Sequence, residues 1–247
     1  MKEFETLFGT YDNIVFFDTE TTGLYPCACQ IIEIAAISLQ RDGTRIKFDE
    51  FVSLRDPSAS VPENIVELTG ITDDVLRAQG IDEETAAASF ADLLCGYNPY
   101  SGDAGHKKRS SEAVLLVAHN AHFDLSFVRG WLKGKMLPKR IDFLDTLTVF
   151  KDRRAYPHKL ANAIEAYHLE NAVQNTHRAI DDVFALAAVT SAMDRERNDL
   201  LEYVNLFGYN AKYGKPSDGI RGVRYVAQPF HDAMTTPRSA LYAQNQY

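Results

Sequence analysis

Apolar residues enter this chain first as short unbroken runs and later as longer mixed stretches. Ile14 to Asp18 (IVFFD) and Gln30 to Leu39 are such runs and read as buried strands. Arg41-Asp42-Gly43-Thr44 reads as a hairpin turn into a third strand from Arg45 to Leu54, which Asp56-Pro57 ends. Helical pieces follow Pro62 and Thr72, each with a cap or a Pro start, and Asp82 to Leu94 has Ala-rich helical composition. Asn98 to Ser111 is rich in Pro, Gly and Ser and reads as an exposed loop. Val114 to Ala118 predicts another buried strand, followed by a helix from His122 to Lys135 and a strand or strand-helix junction at Ile141 to Leu147. Helices over His158 to His168 and Arg178 to Arg195 complete the pattern.

Three early strands, then helices alternating with single strands, predict an α/β fold with a mixed central sheet covered by helices. From Phe207 the texture changes to scattered Gly, Pro and Tyr with little periodicity. Residues 1–206 are therefore expected to form one domain. Residues 207–247 are expected to be a C-terminal extension, binding a partner or packed on the domain, with at most a short strand at Arg224 to Ala227.

Composition narrows the function classes. No apolar run approaches the roughly 20 residues needed to span a bilayer, and MKEFETLF lacks the apolar core of a signal peptide, so a cytoplasmic protein is expected. Cys27, Cys29 and Cys95 are an odd, low count that suits a reducing compartment, and no second Cys/His pair has zinc-finger spacing. The net charge is −8, but it is unevenly spread: residues 105–154 carry eleven Lys/Arg against five Asp/Glu, a local +6 that leaves −14 elsewhere. Lys133, Lys135, Lys139 and Arg140 are its densest group. They are either a phosphate-binding track or an ordinary solvated helix end.

Three places carry chemistry. Asp18 and Glu20, two apart at a strand end, share a face, and two carboxylates so placed repel unless a hard cation such as Mg²⁺ or Mn²⁺ lies between them. Alone the pair reads as solvated strand-end acids; within DTETTGL, however, a hydroxyl-rich turn and Gly23 permit close approach of backbone to a ligand. Asp124 follows a buried strand in VAHNAHFDLSFV, where Asn120 is a candidate helix cap and an acid in the first turn also fits the helix dipole. His119, Asn120, His122 and Phe123 add polar edges and an aromatic face suited to a terminal base. In HRAIDD, His177 and Asp182 would point about 140° apart on one ideal helix, so His177 belongs on the lead-in before it. Asp182 lies beside the stripe of Ala179, Val183 and Leu186, where an unpaired charge is costly, whereas Asp181 is expected in solvent.

DTETTG, HNAHFD and HRAIDD, in this order from about Asn13 to Ala188, resemble the three motifs of the DEDDh 3′→5′ exonucleases. ELTGITDDVL, DTLTVFK and HKLANAIEAYHL resemble the intermotif segments of the branch linked to DNA polymerase III, which contains its epsilon proofreading subunit. The resemblance implies a ribonuclease H-like fold. It also implies that Asp18, Glu20, Asp124 and Asp182 hold two divalent cations, Mg²⁺ or Mn²⁺, with His177 as general base. Thr21, Thr22, Leu24, Asn120, His122 and Phe123 are the substrate contacts it implies. The expected reaction releases nucleoside 5′-monophosphates from the 3′ end of single-stranded DNA, in proofreading or repair, with a DNA polymerase or another replication or repair protein as partner. Two alternatives are a 3′→5′ exoribonuclease of the same family and a catalytically inactive nucleic-acid-binding module.

Overall fold

The computed structural model describes residues 3–101, 111–173 and 176–228. Its frame is a five-stranded sheet in the order β3-β2-β1-β4-β5, formed by β1 (Asn13–Thr21), β2 (Ile31–Gln40), β3 (Arg45–Phe51), β4 (Ala113–Ala118) and β5 (Arg140–Asp145). β1 pairs antiparallel with β2 and parallel with β4, and β5 runs parallel to β4, so the sheet is mixed as the residue pattern predicts. β2 is buried along nearly all its length because both its faces are covered, which is why it reads as a continuous apolar run rather than an alternation. β3, at the sheet edge, begins with alternating exposed and buried residues. Gly43, at φ 94°, supplies the left-handed position of the β2–β3 turn.

Helices cover both faces. Along β1 the side chains alternate: Ile14 and Phe16 join the core beneath α8 (Ala179–Glu196), whereas Val15 and Phe17 join the core beneath α4 (Glu83–Leu94) and α5 (Ala121–Trp131). By the same alternation Asp18 and Glu20 fall on the α8 face and Thr19 on the α5 face. The remaining helices are α1 (Glu5–Thr10), α2 (Glu63–Thr69), α3 (Asp73–Gln79), α6 (Thr146–Arg153) and α7 (Leu160–Ala166). Thr72 caps α3 by accepting from the Val75 amide at 3.3 Å, and Asp82 caps α4 through the Thr85 amide at 2.9 Å.

The sequence boundary expected at Phe207 falls inside a strand. β6 (Leu206–Asn210) pairs in parallel with β7 (Arg224–Gln228), and Phe207 and Ile220 are buried in the same core as α4 and α5. Residues up to Gln228 thus pack on the sheet-bearing body; residues 229–247 lie outside the described ones, as do residues 102–110 of the expected loop. Among the described residues, no helix is long and apolar enough to cross a membrane.

Candidate active site

β1 extends to Thr21, three residues past the apolar run, so Asp18 and Glu20 lie within the strand rather than at its end. Their period-two spacing presents both to α8, whose first turn carries Asp182. One carboxylate oxygen from each of Asp18, Glu20 and Asp182 lies within 4.8 Å of the others. Asp124, in the first turn of α5, approaches β1 from the opposite face. Its Oδ1 accepts from the Thr19 amide at 3.1 Å and from the Thr19 hydroxyl at 2.8 Å. The intervening residue of the D-x-E pair therefore holds the second motif's acid against the same strand.

Burial and mutual repulsion dominate the electrostatics. Asp124 and Asp182 are only 2% and 6% exposed. Burial pushes Asp18 well above the usual carboxylate range, and the neighbouring Asp124, Glu20 and Asp182 push it further. Glu20 is pushed up to about 8 by burial, then by Asp182 and Glu33. Burial takes Asp124 to about 7 even though the hydrogen bonds from Thr19 favour its ionised form. All the donors are hard carboxylate oxygens, and they crowd together where burial and mutual repulsion oppose their ionisation. That combination fits Mg²⁺ or Mn²⁺ and disfavours a soft metal.

His177 stands outside α8, on the lead-in, with φ 57° in the left-handed region. It lines a cavity of about 580 Å³ together with Asp18 and Asp182. Asn120 lines the same cavity, but it does not cap α5 with its side chain; it adopts φ 71° instead. The cap comes from Asp145, whose Oδ1 accepts from the amides of Asn120 (2.9 Å), Ala121 (3.1 Å) and Leu147 (3.2 Å). One carboxylate so fixes the starts of both α5 and α6. Asn120 loses the role because a left-handed N-cap turns its side chain away from the first-turn amides.

The other expected substrate contacts are placed differently. The Thr21 hydroxyl donates to Gly23 O at 2.7 Å and the Thr22 hydroxyl accepts from the Gln30 amide at 3.0 Å, so both brace the β1–β2 loop. That loop presents Leu24, 72% exposed. His122 faces Asp218, with Nε2 3.2 Å from Oδ1, and lies edge-on to Tyr225; Phe123 packs against Phe127 with ring centroids 5.2 Å apart. His119 is a half-buried bracket between Thr146 Oγ1 (3.0 Å) and His158 O (2.9 Å), with desolvation holding its pKa below the ordinary value.

Three residues of the basic group at Lys133–Arg140 face acids. Lys135 pairs with Glu84, Lys139 with Glu112 at 2.8 Å, and Arg140 with Asp142 at 2.5 Å. Arg140 also opens β5, whose far end is Asp145; a strand of this length separates them by about 17 Å. Sequence proximity to the Asp124 helix misleads here because the chain crosses to the other end of the sheet before β5 begins.

Several residues at the site were not singled out from the sequence. Arg178 binds Glu33, which is fully buried on β2 directly across from Glu20. Glu33 was detectable as a lone charge inside the apolar run IIEIAAI. Lys151 of α6 and Tyr209, Asn210 and Gln228 of β6–β7 also line the cavity, and no local signal marks the last three.

Comparison with known proteins agrees with this geometry. The sequence profile of an exonuclease family, RNase_T, matches residues 15–109 and 105–190. DNA polymerase III PolC-type of Clostridium perfringens is 31% identical over 240 residues, covering 96% of this chain and 14% of the relative. Among solved structures, Escherichia coli Exonuclease I in complex with a dA16 oligonucleotide superposes with a TM-score of 0.59 at 19% identity, over 78% of this chain and 42% of that one. A zinc-ion-bound form of the E. coli ExoI–ssDNA complex gives 0.60 at 20% identity, over 78% and 42%. The chain thus spans a small part of the polymerase relative and less than half of the Exonuclease I chain.

Proposed function

Because the chain belongs to the exonuclease family whose profile covers residues 15–190, we propose that it is a divalent-metal-dependent 3′→5′ exonuclease that shortens single-stranded DNA and releases nucleoside 5′-monophosphates. The observation that carries this reading is the convergence of Asp18, Glu20 and Asp182 within 4.8 Å at a cavity that His177 also lines. The ribonuclease H-like fold shared with Exonuclease I supports it, as does the similarity to a DNA polymerase.

Asp18, Glu20 and Asp182 would hold a cation among them, and Asp124, held beside Asp18 by Thr19, would share in binding a second. When bound, such ions offset the carboxylate repulsion, stabilise charge developing at phosphorus and make a water a better nucleophile. His177 would accept the proton of the attacking water at an imidazole nitrogen, the general-base role open to a ring that lines the cavity beside Asp18 and Asp182. Its position on an exposed bend at the cavity gives it access to water while α8 stays packed. Arg178 and Glu33 orient the start of α8, and with it the neighbours His177 and Asp182. DNA is favoured over RNA as substrate because the relatives are a DNA polymerase and an enzyme solved with a DNA oligonucleotide. The similarity to a PolC-type DNA polymerase III supports a DNA polymerase or another replication or repair protein as partner.

The test is a 5′-labelled single strand, as DNA and as RNA, incubated with Mg²⁺, Mn²⁺ or EDTA beside a circular single-stranded DNA. The DNA should shorten as a ladder, a 3′-terminal phosphate should slow it, and EDTA should stop it. Rapid cutting of the circle would reject the exonuclease reading, and preferential loss of the RNA would reassign the substrate.

A further inference from the structure

The cavity at the carboxylates has one wall that lies outside the family's matched region. Residues 15–190 supply Asp18, Lys151, His177 and Asp182, whereas Tyr209, Asn210 and Gln228 come from the β6–β7 ribbon beyond it. This ribbon is fixed to the site rather than appended. The Gly208 amide donates to Thr148 Oγ1 at 2.8 Å, and Gln228 Nε2 donates to Thr148 O at 3.1 Å. Thr148 in turn donates its hydroxyl to Asp145 Oδ2 at 2.6 Å, the same carboxylate that caps the helix bearing Asp124. Gly208 is required for this seat. A Cβ there would lie 1.7 Å from Gln228 Oε1, so any side chain would displace the glutamine that holds β7 to α6.

Tyr209 follows this anchor directly and is half-buried at the cavity wall, next to Asn210. Leu147 and Leu160 line the same space, giving it an apolar and aromatic part besides its acids and Lys151. The chemistry divides as a nucleotide divides. The reacting phosphate belongs at the carboxylates, and a planar base needs an apolar surface with an aromatic face. At about 580 Å³ the cavity is within the usual range of about 300–1,000 Å³ for small-molecule sites, so phosphate and base fit in one enclosure.

We propose that Tyr209 is a stacking platform for a nucleobase flanking the scissile phosphodiester, positioned by the Thr148–Gly208–Gln228 anchor. This rests on the nuclease reading above. Stacking on an aromatic face is tolerant of base identity, so the platform selects for the presence of a base rather than for its sequence.

The experiment measures binding in the presence of Ca²⁺ by fluorescence anisotropy, using a 5′-fluorescein DNA 12-mer that is intact or carries abasic residues at the last two 3′ positions. Degradation of the intact 12-mer in Mg²⁺ is followed alongside. The wild-type protein should bind the intact end about 5- to 100-fold more tightly than the abasic end. Tyr209→Ala should bind both with the same weak affinity, and Tyr209→Phe, which keeps the ring, should restore the preference. Tyr209→Leu preserves apolar volume without a π face and replaces Tyr209→Ala if thermal denaturation shows that variant to be unfolded; it should lose the preference too. Preference retained in Tyr209→Ala or Tyr209→Leu, or absent from the wild type, overturns the platform. A wild type that prefers the intact end without degrading it supports the platform and rejects the nuclease reading. One that degrades the strand without any preference does the reverse.

Discussion

The guanidinium of Arg178 grips the carboxylate of Glu33 across 145 residues of sequence, with Nη2 2.8 Å from Oε1, and the Ala179 amide reaches the same carboxylate at 3.0 Å. Glu33 is fully buried and sits in register with Glu20 on the neighbouring strand, where two like charges would repel. Arg178 therefore does two things at once. It compensates Glu33, and it pins the start of α8 so that Asp182 meets β1.

Removing one partner of this pair should cost far more than removing both. Arg178→Ala leaves a buried carboxylate with the Ala179 amide but no counter-charge, a cost at or below the lower end of about 3–5 kcal/mol because the arginine is itself 39% exposed. Each kcal/mol lowers the melting temperature of a domain this size by about 2–4 °C. Adding Glu33→Gln to Arg178→Ala should recover much of the loss. A double variant no more stable than Arg178→Ala by thermal denaturation would show that the pair is not the source.

The carboxylate cluster should make the metal-free protein sensitive to base. Folding raises Asp18, Glu20 and Asp124 above their unfolded values, so ionising them opposes folding. The cost is absent well below pH 4, where they are protonated in both states, grows as pH rises, and is complete only above the values of about 7 for Asp124 and 8 for Glu20. In EDTA this cluster should lower the melting temperature between pH 6 and pH 9, and Asp18→Asn should flatten that decline while reducing nuclease activity below about a tenth of wild type. An equally steep decline in the variant would remove the cluster as its cause.

His177→Ala should leave the fold and the oligonucleotide KM nearly unchanged and lower kcat by about 10²–10⁴-fold. Its diagnostic is chemical rescue: free imidazole added to His177→Ala should restore part of kcat. A kcat that free imidazole does not raise would leave His177 without the base role.

Salt dependence should follow Lys151 and Lys159, which line the cavity, and not the denser cluster at Lys133–Arg140. For a single strand each lost phosphate contact reduces the log–log slope by about 0.7. Changing Lys151 and Lys159 to Ala should flatten the slope of KM against salt by about that much per contact. Changing Lys133, Lys135, Lys139 and Arg140 together should not, because three of them already face acids and Arg140 opens β5 at the end away from Asp145. A slope altered only by the second set would place the strand's path on the opposite side of the molecule.

The local pattern alone determined a good deal. The apolar runs specified β1, β2 and β4, and the two-residue spacing put Asp18 and Glu20 on one face because a strand alternates by geometry. Helical angle alone required His177 to precede α8, where it stands. The partnerships were decided by tertiary structure. Asn120 has the composition of a cap, yet Asp145, 25 residues later, takes the amides of α5, because β4 and β5 end side by side and bring that carboxylate to the helix start. Glu33 was visible as a charge in an apolar run, but Arg178 could not be named as its partner without knowing that α8 packs on β2. Tyr209 and Gln228 sit in a stretch with little periodicity, and only the seating of β6 against Thr148 brings them to the cavity. Periodicity fixes which way a side chain faces relative to its own backbone. What it faces depends on contacts between segments far apart in the chain, and these are set by the packing of whole elements.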